Sequence, residues 1–374
     1  MSYKIPLYVP LIEKEEIAAV TDAVTSGWVS SRGKYVSQFE DEFAKYVGRK
    51  YALSACNGTV ALHLALEAMQ LPKGTAVLCP TLTYVATANA IRYAGLIPLF
   101  VDCDESGLSN QAQFDKGLEY AFEHDIKVSA VMPVHLYGYQ AKYCFDNDIT
   151  KIPVVEDCAE SFGTTVDGNR RSGTHGDISC FSFFGNKTIT TGEGGMVLTD
   201  NEKLYNQMYM LRGVGQKPNS PQRYHHLIVG YNYRMTNLAA ALGVAQLKKA
   251  NNIIEKKKTI QSAYKSRLES IWDEIKLDHP QNCNPNFWMV TIGMKNFAMR
   301  EGLMLCLESK GIETRPAFLP IHSMVHLGKS YRVDDVSTAE DISARYLNLP
   351  SWPGLNVNDI DYICNCILDF YKKY

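Results

Sequence analysis

The stretch Phe181-Ser182-Phe183-Phe184-Gly185-Asn186-Lys187-Thr188-Ile189-Thr190-Thr191-Gly192-Glu193-Gly194-Gly195-Met196 sets one lysine among aromatic, small and hydroxyl side chains, with glycines bending the chain around it. A merely solvated cation has no need of such surroundings. An amine held there can be desolvated, which lowers its pKa and suits it to Schiff-base chemistry. Apolar runs at 178–183 and 196–199 flank the stretch and read as strands. Similar runs occur at 75–79, 97–101, 128–134 and 154–156, with a helical pattern over 86–93. They are near-continuous, not alternating, which is how strands buried on both faces of a mostly parallel α/β sheet read.

Ser37-Gln38-Phe39-Glu40 reads as a capping box opening a helix whose Phe39, Phe43 and Val47 share a face, with Gly48 as its stop. From Met235 one long helix is expected, with Leu238, Ala241, Leu242, Ala245 and Leu247 on one side, running into Glu255-Lys256-Lys257-Lys258. Beyond it a strand (287–292), a helix (298–310), a strand (312–316) and an amphipathic helix (357–371) make a smaller α+β domain. The expected division is a large domain over 1–250 and a small C-terminal domain over 251–374.

The 374 residues suffice for two such domains, and 38 Lys plus Arg against 40 Asp plus Glu leave a net charge of −2. Without basic runs, nucleic acid and anionic membranes are not expected partners. No apolar stretch is long enough for a spanning helix, and the N-terminus lacks a signal-type apolar region. Ten cysteines without a CxxC pair read as reduced thiols, so a soluble, cytoplasmic protein is expected. Gly213-Val214-Gly215 runs on to Pro218 where a dinucleotide fingerprint needs glycine, Ser323 stands where a Walker A loop ending at Gly328-Lys329-Ser330 needs its first, and HExxH and GxSxG are absent. No metal site is expected.

Two further segments end apparent strands with polar residues, where open α/β sheets bind ligands. Asn57-Gly58-Thr59 precedes a helical run and reads either as an anion cradle or as an ordinary helix cap. Glu156-Asp157-Cys158-Ala159-Glu160 offers a carboxylate for a positively charged ring nitrogen, or again a cap.

Taken together with Lys187, Gly192-Glu193-Gly194-Gly195 and Gly230-Tyr231-Asn232-Tyr233-Arg234-Met235-Thr236-Asn237, these motifs resemble the DegT-type sugar-nucleotide aminotransferases. The likeness reaches from Trp28-Val29-Ser30-Ser31 to Leu347-Asn348-Leu349-Pro350. It implies the aspartate-aminotransferase fold and pyridoxal 5'-phosphate (PLP), with pyridoxamine 5'-phosphate formed in turnover. Lys187 matches the lysine that carries the cofactor and Asp157 the partner of its ring nitrogen. Gly58, Thr59 and Ser182 match phosphate-holding residues, Asn57 a cofactor-binding one, Tyr84 the aromatic against the ring, and Glu160 a position near the cofactor. Asn232 matches a residue that reaches the site of a second subunit, implying a homodimer. Arg315 and His322 fall where relatives border the substrate, so they are candidate substrate-binding residues. The expected reaction moves the amino group of L-glutamate to a 4-keto-6-deoxy sugar nucleotide, with GDP-4-keto-6-deoxymannose foremost and dTDP- or UDP-linked ketosugars as alternatives, and releases 2-oxoglutarate. A sugar dehydratase of the same family would carry histidine at position 187, and a Rossmann oxidoreductase lacks its fingerprint here. Two segments depart from the family's pattern: 139–153, which is shorter, and 216–223, expected to shape the substrate entrance.

Overall fold

In the computed structural model, which describes residues 3–143, 152–216, 222, 224–278, 280, 283–328 and 330–373, helix Lys34–Val47 buries Phe39, Phe43, Ala44 and Val47. This is the i, i+4, i+8 face that its spacing calls for. The helix begins a turn earlier than the sequence suggested. Gly33 is the N-cap, and Ser37 lies inside with its hydroxyl on the Lys34 carbonyl. The cap expected of Ser37 comes from a distant helix, where Asn237 Oδ1 accepts from the Tyr35 N–H at 3.0 Å.

The central sheet runs Tyr51–Ala55, Gly195–Thr199, Ile178–Ser182, Val155–Asp157, Val128–Val131, Ala76–Pro80, Ile97–Val101 and Tyr331–Arg332. Parallel bridges from Val131 to Val154 and Val134 to Asp157 join its two halves. Within this sheet, among the described residues, Gly195–Thr199 is the strand that runs against the direction of the others. It does so because Ile178–Ser182 returns directly into it, with Ser182 opposite Gly195, and a direct return is antiparallel. The connecting loop is the lysine segment. Side chains alternate along this hairpin. Cys180 and Val197 pack with Leu53, Leu64 and Phe100 on one face, and Phe181, Phe183, Met196 and Leu198 pack with Phe39, Phe43 and Val244 on the other. Helices cover both faces, which accounts for the continuous apolar runs.

The expected long helix is two. Asn237–Lys248 and Ala250–Arg267 break at Lys249, whose ammonium reaches Glu13 at 3.0 Å and Glu16 at 2.8 Å. The first is buried on nearly every side instead of along one stripe, since helices Lys14–Thr25 and Lys34–Val47 both pack on it. Helix Lys14–Thr25 has no sequence signature of the usual kind; Glu16, not a Ser/Thr cap, reaches back to the Glu13 N–H.

From Ala250 a second core forms, with Ile260, Tyr264, Leu303, Leu347, Ile363 and Ile367 joined by Ile5 from the N-terminal segment. In its antiparallel sheet Tyr346–Leu349 lies between Val290–Gly293 and Arg315–Pro316. The strand expected from 287 starts later because Phe287 adopts φ 52°. Ile312 pairs with Ile5 instead of extending the next strand. Helix Val357–Tyr371 falls where its amphipathic pattern placed it. Residues 144–151, inside the first atypical segment, and most of 216–223, the second, lie outside the described residues. Among the described residues no helix is long and apolar enough to cross a membrane.

Beneath the site, Glu156 ties the halves together. One oxygen accepts from the N–H groups of His175 at 3.0 Å and Gly176 at 2.9 Å, the other from His135 Nε2 at 3.0 Å, and Arg49 lies 3.6 Å away. His135 Nδ1 accepts from the Ala141 N–H, so Nε2 carries the proton. The ligand atoms of His135, Glu156 and Cys158 fall within 4.8 Å, yet Glu156 and both His135 nitrogens are satisfied by protein groups. Burial pushes the Glu156 carboxyl up, but the hydrogen bonds from His135 and the Gly176 N–H more than reverse this and hold it at about 2. A depressed carboxylate pKa contributes stability above the unfolded value, and that stability fades as pH falls toward the folded one. Glu156→Gln should therefore unfold in urea with a stability lower by about 3 kcal/mol at pH 7, a gap that narrows below about pH 4.5. An unchanged midpoint at pH 7 would refute the role.

Candidate active site

Beyond the carboxyl ends of the central strands lies a cavity of about 550 Å³. Asn57, Gly58, Thr59, Tyr84, Asp157, Glu160, Ser182, Lys187 and Arg315, nine of the residues singled out from the sequence, line it.

Helix Gly58–Ala68 starts at the cavity wall, and Asn57 caps it by accepting from the Val60 N–H at 2.9 Å. The capping reading holds for Asn57. Gly58 is there for another reason: a Cβ on it would stand 2.8 Å from the Ser182 Cβ. The helix N-terminus, whose first amides have no intrahelical acceptor, is thus brought against the Ser182 hydroxyl, a setting for an anion.

Asp157 ends strand Val155–Asp157 and caps no helix, since turns follow it. Its carboxylate accepts from Thr87 Oγ1 at 2.8 Å and from the Ala159 N–H at 3.1 Å. Burial raises its pKa, against the Thr87 and Ala159 bonds and the Lys187 charge. Burial raises the Glu160 carboxyl too, and Lys187 opposes it. Glu160 accepts from Lys187 Nζ at 3.2 Å and from the Tyr137 N–H at 2.9 Å. The Lys187 ammonium also lies 4.0 Å from the centroid of the Trp288 ring. Its loop is pinned by Thr190, whose hydroxyl donates to the Phe183 carbonyl and accepts from the Gly192 N–H.

Two expected residues stand apart from this cavity. Asn232 is exposed and accepts from Arg234 Nη2 at 2.9 Å. His322 contacts Thr81 Oγ1 at 2.6 Å and Glu340 at 3.3 Å. Several residues that sequence reasoning missed contribute instead. Trp288, Asn186, Phe318 and Asn348 line the cavity, Thr87 supports Asp157, and Tyr137 stacks between Trp288 and Phe318 with ring planes within 9° and 6° of parallel. Asn186 and Asn348 lay inside quoted motifs without being singled out; Trp288, Phe318, Thr87 and Tyr137 had no local signal.

A lysine at the cavity wall, an anion setting at a helix start and a buried aspartate able to meet a cationic ring nitrogen fit one cofactor, and on this sheet they define a PLP-dependent aminotransferase. The chain belongs to the DegT/DnrJ/EryC1/StrS aminotransferase family, whose model matches residues 10–368. It is 41% identical over 375 residues to a GDP-perosamine synthase of Escherichia coli O157:H7, covering 98% of this chain and 99% of that one. Its identity to the GDP-perosamine synthase of Vibrio cholerae is 39% over 373 residues, with the same coverage. A DegT DnrJ EryC1 StrS aminotransferase from Brucella abortus superposes with a TM-score of 0.88 at 25% identity, covering 96% of each chain.

Because the Thr87 hydroxyl stabilises the charged form of Asp157, Thr87→Val should raise that carboxyl's pKa further. The acid limb of PLP binding to apo-protein, followed by absorbance, should then move to higher pH. A coincident pH profile would show that Thr87 does not tune Asp157.

Proposed function

We propose that the chain moves the amino group of L-glutamate to C4 of GDP-4-keto-6-deoxymannose, giving GDP-perosamine and 2-oxoglutarate. The observation that carries the chemistry is Lys187, a free amine at the cavity wall beside buried Glu160. The nucleotide sugar is supported by the two full-length relatives named GDP-perosamine synthase.

PLP supplies an electrophilic carbonyl and a ring that takes up the electron pair left when a proton departs from the donor carbon. The chain's residues do the rest. Gly58, Thr59 and Ser182 would hold the phosphate, Asn57 fixes the helix start that presents them, and Tyr84 would face the ring. Asp157 would keep the ring nitrogen protonated. Lys187 Nζ takes the proton from the donor carbon in one half-reaction and returns a proton to the sugar carbon in the other, so a single acid/base serves both. Glu160 holds that ammonium between transfers. Arg315, whose guanidinium reaches only Glu313 among the described residues, at 3.3 Å, meets an anionic group of the substrates, and His322 acts at one remove by holding Thr81 ahead of Tyr84.

The working unit is a homodimer in which Asn232 completes the partner's site. Large apolar side chains exposed at the cavity mouth, Tyr84 and Phe184, and just before Asn232, Leu227 and Val229, support this. The described cysteines are free thiols, which supports a reducing compartment such as the cytoplasm.

Offered glutamate with 4-keto-6-deoxy GDP-, dTDP- and UDP-sugars, the enzyme should give an amine product, scored by mass, on the GDP sugar. Amine on another nucleotide, or loss of a hydroxyl without gain of nitrogen, would displace the reading. Mixing Lys187→Ala with Asn232→Ala protein should restore activity to about a quarter of wild type at random exchange, because half the dimers then hold one intact site. Subunit exchange without recovery would place Asn232 in its own subunit's structure.

A further inference from the structure

Lys257, on helix Ala250–Arg267, is 1% exposed and forms no ion pair among the described residues. Its Nζ donates to the Ser351 carbonyl at 2.8 Å and lies 5.3 Å from the centroid of the Tyr8 ring. The Tyr8 hydroxyl in turn donates to the carbonyl of Lys187 at 2.6 Å. Three distant parts of the chain therefore meet at one buried amine. Tyr8 follows Leu7, which lines the cavity and whose N–H is held by Glu313 at 2.9 Å. Ser351 Oγ accepts from the Val290 N–H, next to the cavity residues Trp288 and Met289. Burial without a carboxylate neighbour lowers the Lys257 amine to about 7. A leucine or methionine would fill such a core position without that penalty.

We propose that Lys257 is a positioning residue for Lys187: anchored on the Ser351 carbonyl, its amine packs against the Tyr8 ring and fixes the Tyr8 hydroxyl on the Lys187 backbone. The Lys187 side chain then leaves the main chain from one fixed point on the cavity wall. Fixing that point matters because the same Nζ must reach the donor carbon and the sugar carbon in turn, and small misplacements of a reacting group are costly in rate. The inference rests on Lys187 being the acid/base assigned above.

The test compares Lys257→Met, Tyr8→Phe and the double variant, all as PLP-loaded enzyme. Each single change should lower kcat about tenfold with KM for glutamate and ketosugar within about twofold, and slow PLP capture by apo-protein to a similar degree. The double variant should be no worse than either single one, since both break one chain of contacts. Additive losses, or unchanged kcat and PLP capture with only a lowered melting temperature, overturn the proposal. Tyr8→Phe removes a single hydroxyl, so it decides the matter should Lys257→Met fail to fold: unchanged kcat in that variant also overturns the proposal. Borohydride reduction of the wild-type enzyme separates the two levels. Cofactor mass on the Lys187 peptide with additive losses overturns the positioning role alone, whereas mass on another lysine overturns the assignment of Lys187 as well.

Discussion

No side chain fits where the start of helix Gly58–Ala68 meets the lysine hairpin. A Cβ on Gly58 would stand 2.8 Å from that of Ser182, and one on Gly195 would stand 2.5 Å from the Asn57 carbonyl oxygen. Ser182 and Gly195 are also paired across the hairpin. Two glycines on different segments therefore let backbone lie on backbone at one point, and that contact sets the distance between the anion setting and the lysine loop. Everything that acts on a ligand in the cavity is referenced to it. The close approach, not a special dihedral angle, is what requires glycine at 58 and 195, neither of which has a positive φ.

Three buried carboxylates follow one another within a single turn-rich segment, and the fold treats them differently. Glu156 receives two backbone N–H groups and His135, and its pKa falls. Asp157 and Glu160, equally buried, have fewer donors, and theirs rise. The distinction follows from counting donors against desolvation. It separates a carboxylate whose needs the protein meets internally from two whose charge calls for a cation in the cavity. For Glu160 that cation is Lys187. For Asp157 a protonated ring nitrogen would serve, as proposed, since Thr87 and Ala159 leave lone pairs to accept from it.

The sequence was most readable where local rules and tertiary packing agree. Helix Ala86–Tyr93 and helix Val357–Tyr371 have the bounds that their patterns indicate, and Ile97–Val101 does so as a strand. It was least readable where a distant group replaces a local one. Asn237 does the capping that Ser37 seemed placed to do, and the expected single helix is divided at Lys249, where Glu13 and Glu16 from the N-terminal helix meet it. The same division runs through the site. Lys187, Asp157 and Gly58 sit in short motifs with their own chemical logic, whereas Trp288 and Thr87 join the site only through tertiary folding. Family likeness carried Asn232 and His322 onto the chain, but within one subunit neither lines the cavity, and no local pattern distinguishes a residue serving its own subunit from one serving a partner.

Tyr137 shows how the site is stiffened by a conformation that sequence alone argues against. It adopts φ 53°, a left-handed backbone unfavourable for a bulky aromatic by about 1 kcal/mol or more, yet it is fully buried. The surroundings over-determine it. Its N–H is committed to Glu160 and its hydroxyl accepts from the Phe318 N–H at 3.0 Å, while its ring is held between Trp288 and Phe318. Gly138 follows at φ 96° with Asn286 and the Trp288 amide so close that no Cβ could be accommodated. A relaxed backbone at 137 would turn the N–H away from Glu160 and loosen the carboxylate that pairs with Lys187. The strain is therefore stored where it orients the acid that pairs with the Lys187 ammonium, and the aromatic stack that opposes its release also forms the cavity wall.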